Sequence, residues 1–504
     1  MSSSRSNLTI FDFINVNVSK GYLARIIFSY LKMKDLLNLR VTSKEIKDIS
    51  DLYIREKMQP ILRLPTGITY NSPTIDTIAE NIYQACAVFD KEPEECTMGV
   101  VCSISYNQAT RIAESDPPLA VLKEIARSGV QISLKLFFKV EIGENYQETW
   151  RSYIQTSEEV LSGLSSSISA LDIDFSSRRI HVDHGNFFDR IVIIIGNLEY
   201  LRSLSISGQA PWDVIFDLEY LRTVRFTGQE SWENIFDQPD PCPSFRELSS
   251  FSVNITENDE YLIGENLVEF MNQMINLREL SIDNFQNIPA VELITCLSSM
   301  TELTSFTIND VTIINLGSAE FGQELCTALP KLSFLRLSHS NIEDEDICAI
   351  IPKIIPLLQN LEKLDLSNCS DEFNFFVNIG DALEGTMPNL TSLNLSFNLL
   401  NTQECINALL PTLSLLRNLV ELDIRCCDIN SAGVGLLIPV FQSLPYLSFL
   451  DMSNNNLNQS SINLLRRSFR RFKQLDTSGN EAVEEEDDSG LDDLDDLEDL
   501  EDLE

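Results

Sequence analysis

The stretch NLTSLNLSFNLLN (389–401) decides the architecture, and it recurs as NLVELDIRCCDIN (418–430) and YLSFLDMSNNNLN (446–458). In the second copy Leu419, Leu422 and Ile424 fall on one side of an extended segment, while Glu421, Asp423 and Arg425 fall on the other. The first apolar position of the pattern stands at Leu277, Leu303, Leu332, Leu361, Leu390, Leu419 and Leu447, with spacings of 26, 29, 29, 29, 29 and 28 residues. The segment after each strand is apolar at helical spacing, as in SAGVGLLIPVFQSL (431–444), and long enough for about three turns. A strand–helix unit of this size cannot bury its own apolar face, so successive units stack and share one core. The period therefore predicts an α/β solenoid with parallel inner strands and outer helices, curved into a horseshoe.

The ladder continues upstream in weaker form, with cores opening at Leu248, Leu221, Leu201 and Ile168 and spacings of 29, 27, 20 and 33 residues. LEYLRSLSISG (198–208) and LEYLRTVRFTG (218–228) are near copies, which points to a local duplication, and FKQLDTSGN (472–480) reads as a last, shortened strand. About twelve strands are expected on this count. Period and pattern together resemble the ribonuclease-inhibitor-like class of leucine-rich repeats.

Composition agrees with a large folded chain: 504 residues, 43% of them apolar. The run IVIIIG (191–196) is far too short to span a bilayer, and MSSSRSNLTIFDF lacks the layout of a signal peptide. Eleven cysteines without CxxC spacing fit free thiols in a reducing compartment. The expectation is a soluble protein of the cytoplasm or nucleus, with no membrane partner.

Charge is uneven along the chain. Residues 1–60 carry 10 Lys/Arg against 6 Asp/Glu, whereas 481–504 carry 15 acidic residues and no basic one, which leaves −28 of the total −39 for 61–480. Such a surface argues against a nucleic-acid partner and would steer basic partners in. The tail EEEDDSGLDDLDDLEDLEDLE (484–504) repeats leucine every third residue, which drifts off any one α-helical face, and its dense like charge predicts disorder. It reads either as a solubilising extension or as an interaction segment.

Near the other terminus, SKGYLARIIFSYLKMKDLLNLRVTSKEIKDISDLYI (19–54) reads as three short helices, with Thr42 and Glu45 a capping box for the third. Ile27-Phe28-Ser29-Tyr30-Leu31, Asp35-Leu36-Leu37 and Val41-Thr42-Ser43-Lys44 sit at the offsets of an F-box, and the segment resembles that family. It departs from the family pattern at Lys20-Gly21, where Leu-Pro is usual, at Lys32 in place of a common Pro, and at Ile46 in a frequent Trp position. The alternative is a helical cap that seals the solenoid. The organisation expected is an F-box-like helical unit at 1–58, an α/β unit or degenerate leading repeats at 59–165, the leucine-rich repeats at 166–480 and a disordered acidic tail at 481–504. Within 59–165, a helix at 73–89, strands at 100–106 and 130–142, and a helix at 119–128 are expected.

No Walker loop, GxSxG or metal-spaced Cys/His cluster is present in the sequence, so no enzyme, metal or cofactor is expected. His181, Asp183 and His184 follow a strand directly and read as a solvated loop. Cys369 and Cys427 occupy the position that holds Asn398, Asn455 and Asn480 in other repeats, so they read as scaffold that bonds loop backbone. Binding falls to the concave strand face. There Arg336, Asp365, Asn394, Asp423, Asp451 and Asp476 form one column, flanked by Ser338, Ser367, Ser396, Arg425 and Ser453, then by His339, Asn368, Phe397, Cys426 and Asn454. The acids invite a basic ligand, with Phe397 and Phe449 as apolar anchors.

The two resemblances together imply an F-box leucine-rich repeat protein, a non-catalytic substrate receptor of an SCF-type cullin–RING ubiquitin ligase. On that resemblance Leu23, Ile27, Leu31, Leu36 and Leu37 dock the small adaptor subunit, and the repeats hold a protein substrate. Repeats followed by an acidic tail also resemble Ran GTPase-activating proteins, so a GTPase regulator or another regulatory interaction scaffold is the alternative.

Overall fold

The computed structural model describes residues 61–63, 82, 83 and 86, and most of 92–480, with the larger gaps at 175–192, 208–217, 229–242, 256–263, 315–323, 347–357 and 370–386. The F-box-like segment, the acidic tail and the His181–His184 loop lie outside the described residues. The chain divides into two compact units, Met1–Glu230 with Cys242–Ser244, and Ser231–Pro241 with Phe245–Glu504.

The first unit runs β1 (Ile61–Arg63), β2 (Thr97–Asn107), β3 (Ile112–Asp116), α1 (Leu119–Arg127), β4 (Gln131–Lys139), α2 (Tyr146–Gly163), β5 (Ile168–Asp174), β6 (Ser203–Ser207) and β7 (Thr223–Gly228). β1, β2, β4, β5, β6 and β7 pair in parallel in that order, so the sheet of the repeats continues back into the region before residue 166. The expected strands at 100–106 and 130–142 and the helix at 119–128 are β2, β4 and α1.

β3 and α2 have no counterpart among the elements expected from sequence. β3 is antiparallel to β2, and α2 covers its free edge with hydroxyl groups. Ala113 N donates to Ser152 Oγ at 2.6 Å, Thr156 Oγ1 donates to Ala113 O at 2.8 Å, and Tyr106 N donates to Tyr153 Oη at 3.1 Å. These side chains satisfy strand groups that a further strand would otherwise pair. The helix is hard to read from sequence because polar residues face the protein: Ser157 is buried beside Tyr153.

The second unit runs β8 (Ser250–Ile255), α3 (Gly264–Met271), β9 (Glu279–Pro289), α4 (Ala290–Ser299), β10 (Ser305–Ile314), β11 (Phe334–Ser338), β12 (Asn341–Ile342), β13 (Glu345–Asp346), β14 (Lys363–Asp365), β15 (Ser392–Asn394), α5 (Gln403–Leu415), β16 (Glu421–Asp423), α6 (Ser431–Ser443), β17 (Phe449–Asp451), α7 (Gln459–Ser468) and β18 (Gln474–Asp476). Apart from the short β12–β13 antiparallel pair, its strands stack in parallel, one per repeat. A strand stands at every repeat position expected from Ile168 onward. This is a leucine-rich repeat solenoid.

Register explains the period. Leu335, Leu364, Leu393, Leu422 and Leu450 are consecutive partners across the sheet and all are at most 2% exposed. Full burial of each such side chain contributes about 1.5–3 kcal/mol. The outer helices begin alike: Thr402, Asn430 and Asn458 accept from Cys405 N, Gly433 N and Ser461 N at 3.2, 3.0 and 2.9 Å. Each cap satisfies an amide that the first helical turn leaves open. At Gly433 a β-carbon would meet the terminal methyl of Ile406, which would have to shift to make room.

A candidate protein-binding face

Apart from Arg336, each outward residue of the strand column first serves its own backbone. Oδ1 of Asp365, Asn394, Asp423, Asp451 and Asp476 accepts from the N–H two residues on, at 3.0, 3.0, 3.1, 2.9 and 2.9 Å. This Asx geometry ends the strand and bends the chain inward. The third residue after the column position then takes the left-handed conformation, with φ of 48° at His339, 52° at Asn368, 59° at Phe397 and 53° at both Cys426 and Asn454. Asn tolerates that region; a bulky phenylalanine does not do so without strain.

The bend corrects one expectation. Ser338, Ser367, Ser396 and Ser453, placed on the outward face by sequence, are buried at 1, 6, 1 and 5% exposure. Ser367, Ser396 and Ser453 sit at the turn that the Asx bond closes, where Ser453 Oγ donates to Asp451 Oδ1 at 2.7 Å, while Ser338 ends its strand and donates to Asn309 Oδ1 at 2.7 Å. Arg425 holds the same position in its repeat but extends outward, its side chain 43% exposed.

The structure brings the remaining face residues together in register, with Arg336 beside Asp365, Asp365 beside Asn394, Asn394 beside Asp423, and Asp423 beside Asp451. The second carboxylate oxygens turn to neighbouring cations: Arg336 Nε lies 3.5 Å from Asp365 Oδ2, Arg425 Nε 3.5 Å from Asp423 Oδ2, and Arg425 Nη1 3.9 Å from Asp451 Oδ2. The acidic column is thus partly neutralised from within. Burial nevertheless raises the Asp423 carboxyl above its ordinary value, against the lowering effect of the Arg425 backbone N–H and guanidinium. At Asp476 the hydrogen bonds from Ser478 lower it instead.

Two aromatic–cation pairs flank the column. The Arg425 guanidinium sits 5.7 Å from the Phe397 ring centroid, and the Lys473 ammonium 5.6 Å from that of Phe449. Phe397 is 48% exposed, so a strained backbone presents a large apolar ring to solvent. An exposed ring held by a guanidinium that is itself fixed between two acids is suited to bury against a partner protein.

Beneath this face runs a buried polar ladder. Asn398 Oδ1 accepts from Cys369 N at 2.9 Å while its Nδ2 donates to Leu366 O at 2.9 Å and Leu395 O at 2.8 Å. Asn455 Oδ1 accepts from Cys427 N and Ile429 N, both at 3.0 Å, and Asn480 Oδ1 accepts from Asn455 N at 3.1 Å. The thiols of Cys369 and Cys427 donate to Leu337 O at 2.8 Å and Leu395 O at 3.2 Å. Burial pushes the Cys427 thiol up to about 12, which suits a donor in a scaffold rather than a nucleophile.

Elsewhere, a cleft of about 550 Å³ between β3 and α2 is lined by Glu114, Arg151, Gln155 and Glu159 among others. Among the described residues no group of three or more metal-ligating side chains converges, and no helix is long and apolar enough to cross a membrane. The docking residues expected at Leu23, Ile27, Leu31, Leu36 and Leu37 lie outside the described residues.

Comparison with known proteins addresses that segment. Residues 22–57 match the F-box domain family. The chain joins an F-box segment to a leucine-rich repeat solenoid. Over 113 residues, 22% of its length, it is 32% identical to the ribonuclease inhibitor of Sus scrofa, and it spans 25% of that protein. Among solved structures it is similar to an internalin from Listeria monocytogenes (15% identity, TM-score 0.35, 71% of this chain and 82% of the other). A leucine-rich repeat protein from Leptospira interrogans is also similar (12% identity, TM-score 0.31, 70% of this chain and 91% of the other).

Proposed function

We propose that this chain is a substrate-receptor subunit of an SCF-type cullin–RING ubiquitin ligase, acting in the cytoplasm or nucleus. The observation that carries the reading is the F-box match at 22–57 on a chain that also holds a leucine-rich repeat solenoid. In that arrangement the F-box docks the small adaptor subunit, with Leu23, Ile27, Leu31, Leu36 and Leu37 as the apolar contacts. The outward strand face holds a protein substrate through Phe397, Arg425 and Phe449, within the column of Arg336, Asp365, Asp423 and Asp451. The net −28 of residues 61–480 favours a basic substrate segment at long range. Ubiquitin transfer would be accelerated by proximity, with no side chain of this chain entering the chemistry.

The test is capture of the purified small adaptor by the full chain, with Leu31→Glu and Leu36→Glu as controls. Stoichiometric capture that both variants abolish, while their circular dichroism stays unchanged, supports the reading. Failure of the wild-type chain to capture the adaptor, or capture that survives both substitutions, overturns it.

A further inference from the structure

The solenoid has an end that differs from the rest of this acidic chain. β18 pairs with β17 on one side and, among the described residues, with no strand on the other. Its core residue Leu475 is half-buried, whereas its counterparts in the preceding strands are at most 2% exposed. An open solenoid end leaves apolar surface and strand-edge groups that are normally capped.

The same end is basic. Arg466, Arg467, Arg470, Arg471 and Lys473 fall within eight positions of a chain that has 37 Lys/Arg in 504 residues. Arg466, Arg467 and Lys473 are exposed, and Leu464, three residues before Arg467 on α7, is 48% exposed. Helix-dipole complementarity accounts for Arg466 and Arg467 in the last turn of α7. Lys473 lies over the Phe449 ring, and neither that contact nor the dipole accounts for the half-buried Leu475.

We propose that this end, formed by α7 and β18, is the docking surface for the chain's own acidic leucine segment, 484–504. Charge is complementary, the exposed cations Arg466, Arg467 and Lys473 against a segment in which every residue but Ser489, Gly490 and five leucines is acidic. Leucine at 491, 494, 497, 500 and 503 aligns on one side of a chain wound with three residues per turn, leaving acids on the other two. That stripe covers the half-buried Leu475 while the acids meet Arg466, Arg467 and Lys473. Reach is sufficient: the eleven residues from Asn480 to Leu491 span up to about 36 Å, against about 15 Å for the length of α7. A tether this short sets an effective concentration of about millimolar, so weak contacts suffice.

The experiment is zero-length carbodiimide coupling of the full-length chain followed by peptide mapping, which joins the Lys473 amine to any carboxylate held against it. The expected product is an intramolecular link from Lys473 to residues 484–504 in the monomer at about 50 mM salt, largely lost at about 0.5 M. Its yield should fall roughly fivefold in Arg467→Glu and in the double variant Leu494→Ser/Leu497→Ser, which leaves the solenoid untouched. Links formed only between two molecules would overturn docking in cis. A Lys473 left unmodified while the acidic segment couples to lysines of residues 1–60 would overturn the site itself.

Discussion

Replacing Asn398 by alanine tests whether the buried amide ladder holds successive repeats together. The side chain is 2% exposed and makes three good hydrogen bonds, accepting from Cys369 N at 2.9 Å and donating to Leu366 O and Leu395 O at 2.9 and 2.8 Å. Alanine leaves an N–H and two carbonyls without these partners in a region too tightly packed for water to replace the amide fully. Each orphaned buried group costs about 1–3 kcal/mol, and partial relaxation keeps the sum near 3–4 kcal/mol. Asn398→Cys separates the two halves of the role. A thiol can donate to a carbonyl of the preceding repeat, as Cys427 does to Leu395 O at 3.2 Å, but it does not restore the strong acceptor for Cys369 N. The cysteine variant should therefore recover about half of the loss. Urea denaturation followed by circular dichroism measures the totals, and hydrogen exchange at the Cys369 amide reports the acceptor alone. Protection there should fall in both variants. An alanine variant within about 0.5 kcal/mol of wild type, or an unchanged Cys369 amide, would refute the reasoning.

Two further substitutions probe the outward face. Phe397→Asn places at φ 59° the residue type that Asn368 and Asn454 already supply in neighbouring repeats. Relief of strain and loss of the Arg425 contact nearly cancel, so stability should stay within about 1 kcal/mol of wild type. Substrate capture should weaken at least tenfold if the ring is an anchor, and capture at wild-type strength would remove Phe397 from the binding face. Asp423→Asn keeps the acceptor for Arg425 N but has no charge to bury. Because the folded-state carboxyl is raised above its unfolded value of 3.8, wild-type stability relative to the variant should be greatest below that value. It should decline as pH rises through the raised value and then level off. Denaturation midpoints across that range that rise with pH relative to the variant would contradict the burial argument.

The repeats were legible because their signal is redundant. Leu335, Leu364, Leu393, Leu422 and Leu450 each report the same environment one repeat later. The scaffold role of Cys369 and Cys427 was legible by the same alignment, since both replace an asparagine whose hydrogen bonds they partly reproduce. β3 and α2 were not, because Ser152 and Thr156 act through hydroxyl bonds to Ala113 that leave no periodic apolar trace. The buried serine column was misplaced for a related reason. At Ser367, Ser396 and Ser453, alternation predicts an outward position only while the chain remains extended, and the Asx turn at Asp365, Asn394 or Asp451 ends the strand first.

Sequence by itself determined the strand–helix repeat, its length, the inward leucine column and the F-box-like pattern near the N-terminus, since each depends on residue type at a fixed spacing. Only the tertiary structure decided how the outward residues spend their bonding capacity. It committed one oxygen of each acid to its own backbone and the other, at Asp365, Asp423 and Asp451, to an arginine. It also left Phe397 exposed in a left-handed turn beneath the Arg425 guanidinium. The physical reason is that a column's chemistry depends on what the adjacent repeat places within 4 Å, and spacing along one chain does not specify side-chain direction across the sheet.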